Sequence, residues 1–128
     1  MSRRTRHIAF LACAAACMLS GCGQKTNTTD QEAYRQYGIN CIESGDYPSA
    51  VDAFQKALDQ SHGKVTAAEI DICYYKAEAQ FLSGDYEGAQ TTYQALIDYK
   101  DDANSYFLRG CMRFQLGMQE EALNDFGM

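Results

Sequence analysis

The chain has 128 residues, which gives room for one small domain. Its hydrophobic content of 46% is ordinary for a protein with a packed core, and its single proline and helix-friendly composition favour an all-α fold. With 11 basic and 17 acidic residues, the formal net charge is −6, whereas nucleic-acid-binding domains usually carry a basic stripe. Nucleic acid is therefore disfavoured as a partner.

The first 21 residues have the organisation of a secretory signal peptide. The chain starts with a basic stretch that contains Arg3, Arg4 and Arg6. An apolar run follows from Ile8 to Leu19. About a dozen apolar residues are too few to cross a bilayer comfortably as a helix. Residues 1–21 are therefore predicted to be a signal peptide rather than a part of the fold.

The four residues Leu19-Ser20-Gly21-Cys22 resemble a bacterial lipobox. In that family the cysteine thiol receives a diacylglycerol, and the chain is cut before the cysteine. The resemblance implies that Cys22 is lipidated and that residues 22–30 are an anchored, flexible tether on the outer side of a bacterial membrane, either the cell membrane or the outer membrane. The alternative is an ordinary secretory signal in which Cys22 is incidental.

Capping and turn residues divide residues 31–128 into six predicted helices. Thr-x-x-Glu capping boxes that begin at Thr29 and Thr66 predict the starts of the first and third helices. Gly45 is suited to the left-handed conformation that ends a helix, and Asp46 is suited to cap the next one. The other expected boundaries are Ser44, Tyr47, Gln60, Leu82, Tyr86, Asp98, Asp101 or Asp102, Leu116 and Gln119.

A glycine-centred pattern recurs along these helices. Gly45, Gly84 and Gly117 lie 39 and 33 residues apart, close to the roughly 34-residue period of a helix-turn-helix repeat. A small residue precedes each glycine by seven positions, and an alanine and an aromatic follow it; the members are Gly38, Ala50, Phe54, Ala77, Ala89, Tyr93, Gly110, Ala122 and Phe126. The pattern resembles the tetratricopeptide repeat family. The resemblance implies an all-α solenoid of about two and a half to three repeats.

The third repeat stops inside its second helix, so the solenoid is expected to be incomplete at its C-terminal end. We expect Phe107, Leu108 and Met112 on the fifth helix to be left without a covering helix. Either the chain is a fragment of a longer repeat protein, or another subunit covers this surface.

The family resemblance also implies which first-helix residues line a concave groove. They are Arg35, Ile39, Ile42, Tyr74, Glu78, Phe81, Phe107, Cys111 and Phe114. This set is apolar and aromatic with isolated charges, which favours a peptide segment as the bound partner. Phe81 and Phe114 are equally well explained as half-buried packing residues, whereas Tyr74 and Phe107 indicate binding more strongly. The Lys and Asn clamp of the chaperone-binding subclass is absent.

The remaining reactive residues have simple structural explanations. Cys41, Cys73 and Cys111 lie at helical packing positions and are predicted to be small buried side chains, with a Cys41–Cys73 disulfide as the alternative. His62 stands alone in a loop and no CxxC occurs, so neither a metal site nor a cofactor is predicted. No nucleophile motif or phosphate-binding loop is present, and the chain is not expected to be an enzyme.

The sequence therefore predicts a membrane-anchored lipoprotein that acts as an interaction module or scaffold in the bacterial cell envelope. Its partners would be proteins near the membrane, and not nucleic acid or metal. The alternative is a lipoprotein that captures a small molecule or glycan in the groove, which a deep closed pocket would favour.

Overall fold

A computed structural model describes residues 30–127, which form six α-helices and no β-strand. The helices are α1 (Asp30–Ser44), α2 (Tyr47–Asp59), α3 (Ala67–Ser83), α4 (Tyr86–Lys100), α5 (Ala103–Gln115) and α6 (Gln119–Phe126). They form three helix pairs, and the pairs are joined by the packing of α2 on α3 and, less extensively, of α4 on α5. The fold is thus an all-α repeat solenoid, as the sequence predicted.

The predicted signal peptide, Cys22 and the tether as far as residue 29 lie outside the described residues. Asp30, which the sequence analysis placed at the end of the tether, is the first residue of α1. The other predicted helix boundaries agree with the structure to within two residues.

The two helices of each pair are joined by the same glycine turn. The turn glycines have φ angles in the left-handed region, at 81° for Gly45, 87° for Gly84 and 77° for Gly117. In the first turn, the Asp46 backbone N–H donates to the Cys41 carbonyl at 2.9 Å, and bonds of the same length follow the other two glycines. The Asp46 carboxylate then accepts from the Ser49 N–H at 3.3 Å and caps α2, as predicted.

The close approach within each pair depends on a small residue that faces an aromatic ring. Phe54 is fully buried, and a Cβ added at Gly38 would lie 2.6 Å from its ring. Phe126 stands in the same relation to Gly110, again at 2.6 Å. The core forms two clusters, one between the first and second pairs and one between the second and third. Their buried members are Cys41, Ala50, Phe54, Ala57, Ile72 and Ala79 in the first, and Ala77, Ala89, Tyr93, Leu96 and Met112 in the second.

The exposed face of α5 differs from the expectation. Met112 is only 3% exposed and Leu108 is half-buried, because both side chains pack against the second cluster. The expectation that these two residues would be left uncovered is therefore wrong. Phe107 is exposed as expected, and Leu123 and Phe126 of α6 are exposed beside it.

A buried ion network connects the last pair to α4. The Asp125 carboxylate accepts from Arg109 at 2.6 and 3.0 Å and from Arg113 at 2.9 Å. Arg109 also donates to Gln94 at 2.6 Å, and Arg113 donates to Gln90 at 3.2 Å. Asp125 is 4% exposed and Arg109 is 7% exposed. Their charges are therefore stabilised by contacts with each other rather than by hydration.

The predicted capping box at the start of α3 also connects the first and second pairs. Glu69 accepts from the Thr66 hydroxyl and from the Thr66 backbone N–H, the latter at 2.7 Å. The Gln31 amide of α1 donates to the other carboxylate oxygen at 2.7 Å. The bond from the Thr66 hydroxyl is the largest cause, followed by that from Gln31, of the lowering of the Glu69 pKa to about 2.

The pKa of Glu69 gives a pH-dependent prediction. The carboxylate stabilises the fold above its unfolded pKa of about 4.3, and this contribution is lost as the pH falls toward 2. We expect Glu69→Gln to lower the free energy of unfolding by about 1–2 kcal/mol at pH 7. The difference from wild type should shrink between about pH 4.5 and 2 in urea unfolding. Glu43→Gln, at an exposed position of α1, is the control; an equal effect there would contradict the assignment.

Asp125 provides a test of how the last pair is held. Asp125→Ala leaves two guanidinium groups without their buried partner, and we expect the free energy of unfolding to fall by about 3–5 kcal/mol. Native-state hydrogen exchange should show the loss of protection concentrated in α5 and α6. Asp59→Ala, which removes an exposed acceptor of Gln55, should change stability by less than about 1 kcal/mol. Equal effects of the two substitutions would show that the network is not important for docking.

Candidate functional site

A cavity of about 290 Å³ lies between α3 and α5. Tyr74 and Phe81 of α3 form one wall, and Cys111 of α5 contributes to the other. The base includes Tyr93 of α4, which is 6% exposed. Burial of this phenol is the main cause of the rise in its pKa to about 12, so the hydroxyl stays protonated near neutral pH. The cavity thus combines an uncharged aromatic base with one aromatic wall, formed by α3.

Four of the nine residues predicted to line the groove meet at this cavity, namely Tyr74, Glu78, Phe81 and Cys111. Phe107 and Phe114 lie on α5 outside its lining, with exposed fractions of 57% and 61%. Phe107 packs against Phe126, with ring centroids 5.9 Å apart. Phe114 is the most exposed aromatic side chain of the described residues and is available for contact with a partner.

The three predicted groove residues on α1 do not line this cavity. Ile39 and Ile42 are partly buried against the first core cluster. Arg35 reaches the edge of the cavity indirectly, because its guanidinium lies 2.6 Å from the carboxylate of Asp71, a lining residue. The same guanidinium lies over the Tyr75 ring at 5.4 Å from its centroid. Arg35 is therefore linked to the cavity through α3 rather than lining it.

Tyr74 has a structural role in addition to forming a wall. Its ring packs against the second core cluster, and its hydroxyl lies 2.7 Å from the Ser105 hydroxyl. It also donates to the Asp102 carboxylate at 3.2 Å. Asp102 caps α5 by accepting from the Ser105 N–H at 2.8 Å, and this backbone bond is the main cause of the lowered pKa of its carboxyl. Tyr74 therefore connects the wall of the cavity to the start of α5.

The edge of the cavity is acidic. Asp71 is neutralised in part by Arg35, as described above. Glu78 is exposed and forms no hydrogen bond or ion pair with any residue between 30 and 127. An unpaired carboxylate beside an aromatic wall is suited to a basic group that lies next to an apolar one.

The sequence analysis missed several residues of the lining. Tyr75, Leu108, Met112 and Gln115 also contribute to the cavity. Tyr75 and Leu108 each follow a predicted groove residue by one position, in equivalent places of the second and third repeats. A neighbouring position on a helix is rotated by about 100°, so these residues lie at the margin of the predicted face. Tyr75 also stacks on Phe54, with ring centroids 5.7 Å apart.

Between residues 30 and 127 there is no group of three or more His, Cys, Asp or Glu side chains arranged to hold a metal ion. Within the same range no helix combines the length and hydrophobicity needed to span a membrane.

The three cysteines of the described range are free thiols, so the alternative Cys41–Cys73 disulfide is not formed. Cys41 is buried as predicted, whereas Cys73 and Cys111 are half-buried and each lines a cavity.

Comparison with known proteins agrees with the repeat geometry. A sequence model of the tetratricopeptide repeat family matches residues 42–109, more than half of the chain. The chain belongs to the tetratricopeptide repeat family. No curated protein matches it. The family match extends from the last turn of α1 into α5 and includes the α3 wall of the cavity. Tetratricopeptide repeats indicate protein partners, and the family is generally non-enzymatic.

Proposed function

We propose that this tetratricopeptide repeat protein is a non-catalytic interaction module that binds a peptide segment of a partner protein between α3 and α5. The observation that carries the proposal is the aromatic cavity formed by Tyr74, Phe81 and Tyr93. A recess of this kind accepts an apolar side chain as an anchor, while the remaining contacts exclude water around it. The exposed Phe114 on the same helix as Cys111 extends the apolar surface beyond the cavity.

The size of the cavity favours a peptide over a small molecule or glycan. At about 290 Å³ it lies at the lower limit of small-molecule pockets, which occupy roughly 300–1,000 Å³. It therefore suits one large side chain better than a whole ligand. Glu78 adds a preference for a Lys or Arg next to that side chain, because its carboxylate is otherwise unpaired. The partner segment is thus an apolar anchor with an adjacent basic residue.

We also propose that the module acts near a bacterial membrane, as an envelope lipoprotein anchored through Cys22. Support comes from the basic start, the apolar run and the lipobox-like Leu19-Ser20-Gly21-Cys22. The first helix starts at Asp30, so the segment from Cys22 is about eight residues long and reaches at most roughly 25–30 Å when extended. Partners would then be proteins close to the outer side of the membrane, where the module serves as a scaffold.

The groove proposal is tested by selecting short peptides from a random library on the full chain. We expect the selected peptides to contain a large apolar residue next to Lys or Arg. Glu78→Lys should weaken their binding by about tenfold or more, since it replaces attraction by repulsion. Glu87→Lys makes the same charge change at an exposed position of α4 outside this cavity and is the control. Equal binding to the Glu78→Lys and Glu87→Lys variants would contradict the proposal.

The anchoring proposal is tested by expression in a bacterium. We expect the mature protein to partition into detergent and to carry a diacylglyceryl mass on an N-terminal Cys22, because two acyl chains give stable membrane binding. Cys22→Ser should abolish this partitioning, whereas Cys17→Ser should not. An intact mass that shows an unmodified Cys22, or cleavage at another bond, would overturn the proposal.

A further inference from the structure

A second cavity, of about 470 Å³, lies on a different face of α3 from the groove. It is an open cavity lined by α2, α3, α4 and the long loop between the first two helix pairs, and none of its lining residues lines the groove cavity. The loop runs from Gln60 to Thr66, whereas only two residues separate the helices within the first and second pairs. His62 and Gly63 adopt left-handed conformations, and the Lys64 N–H donates to the Ser61 carbonyl at 3.0 Å.

The lining of this second cavity is mainly apolar. Its apolar side chains come from all four lining segments and are Leu58, Val65, Ile70, Cys73, Ala95, Leu96 and Tyr99. Val65 is 50% exposed and Tyr99 is 58% exposed, so the apolar surface of the cavity continues to its mouth. Contiguous exposed apolar surface of this kind marks a binding site more often than scattered apolar residues do.

Two lysines contribute to the lining of this cavity. Among the four lysines of the described residues, Lys56 pairs with Asp52 at 2.7 Å and Lys100 pairs with Asp102 at 3.3 Å. The other two are Lys64 and Lys76, and both line this cavity without an acidic partner in the described range. Lys76 donates only to the Gln55 amide oxygen, at 2.7 Å.

Glu69 is the only carboxylate in the lining of this cavity. Both of its oxygens are already bonded, one to Thr66 and one to Gln31. The two ammonium groups are therefore left to attract an anion from outside, although the chain as a whole carries a net charge of −6.

We propose that this cavity binds a single-chain anionic amphiphile, namely a free fatty acid. Its volume lies within the range of about 300–1,000 Å³ that is typical of small-ligand sites. The hydrocarbon chain lies against Leu58, Ile70 and Leu96, and the carboxylate lies between the ammonium groups of Lys64 and Lys76. The site is separate from the peptide groove, so it does not depend on the function proposed for that groove.

The three cysteines of the described residues provide a direct test. Cys73 lines the second cavity, Cys111 lines the groove cavity, and Cys41 is buried in the first core cluster. Peptide mass spectrometry monitors the rate at which each thiol of the full chain is alkylated. The reaction is run at alkaline pH because burial raises the pKa of Cys73, and the thiolate is the reactive form. With dodecanoate at about ten times its dissociation constant, we expect alkylation of Cys73 to slow by about tenfold and that of Cys111 to be unchanged.

Ligands that differ in the length of the hydrocarbon chain and in the charge of the head group are compared on the wild-type protein. The affinity measured from Cys73 protection should rise by about threefold to fourfold for each methylene added to the fatty acid, until the cavity is full. Dodecyltrimethylammonium, which has the same chain and the opposite charge, should not protect Cys73. Absence of protection by dodecanoate, equal protection of Cys73 and Cys111, or equal protection by both amphiphiles would overturn the proposal.

Charge reversal tests the assigned head-group site. In the double variant Lys64→Glu and Lys76→Glu, dodecanoate should no longer protect Cys73, and dodecyltrimethylammonium should protect it. Lys56→Glu combined with Lys100→Glu makes the same change in net charge away from the lining and should behave like wild type. A peptide selected on the groove should protect Cys111 and leave Cys73 reactive, so failure of the fatty-acid site is distinguishable from failure of the groove. Retained dodecanoate protection in the Lys64 and Lys76 variant would overturn the assigned head-group site.

Discussion

The close approach of the two helices in each pair is the constraint on which the rest of the structure depends. Gly38 and Gly110 leave no space for a Cβ beside Phe54 and Phe126, and Ala77 is the corresponding small residue of the middle pair. Successive pairs are joined by the packing of α2 on α3 and of α4 on α5, and α3 and α5 then line a recess with Tyr93 at its base. The candidate binding site is thus a product of repeat packing rather than of a separate structural element.

The departure from regular spacing has a different effect. The extra residues between α2 and α3 do not disturb the packing of these helices, because the Thr66 capping box and the Gln31–Glu69 bond fix the start of α3. Instead, the loop encloses space on the opposite flank of α3, where Lys64 and Val65 contribute to the lining. The same helix therefore presents an aromatic, acidic cavity on one face and an aliphatic, basic cavity on another. Insertions in surface loops are tolerated energetically and often carry function.

Local signals in the sequence predicted the elements well, and long-range contacts set the limits of that prediction. The turn glycines and the Thr66 capping box predicted helix ends because each acts within a few residues of itself. The contacts of Asp125 with Arg109 and Arg113 could not be predicted, since they require the docking of α6 on α5 to be known. For the same reason the burial of Met112 was missed: its neighbour is α4, and nothing local to α5 indicates which face α4 covers. Four of the nine residues that the family resemblance assigned to the groove lie at the cavity, but the resemblance could not show that Arg35 would be held by Asp71.

The hydroxyl of Tyr74 has a consequence for how binding and folding are related. The residue that forms the wall of the groove also bonds to Asp102 and Ser105 at the start of α5. If a peptide binds more tightly when α5 is docked than when it is undocked, occupation of the proposed groove and docking of the third repeat are thermodynamically linked, because Tyr74 contributes to both. The link is then reciprocal: the factor by which a given peptide strengthens docking is the factor by which docking raises the affinity for that peptide. Under the same condition, a protein that covered the exposed Phe107 and Phe126 surface and kept α5 and α6 docked would raise the affinity for the peptide.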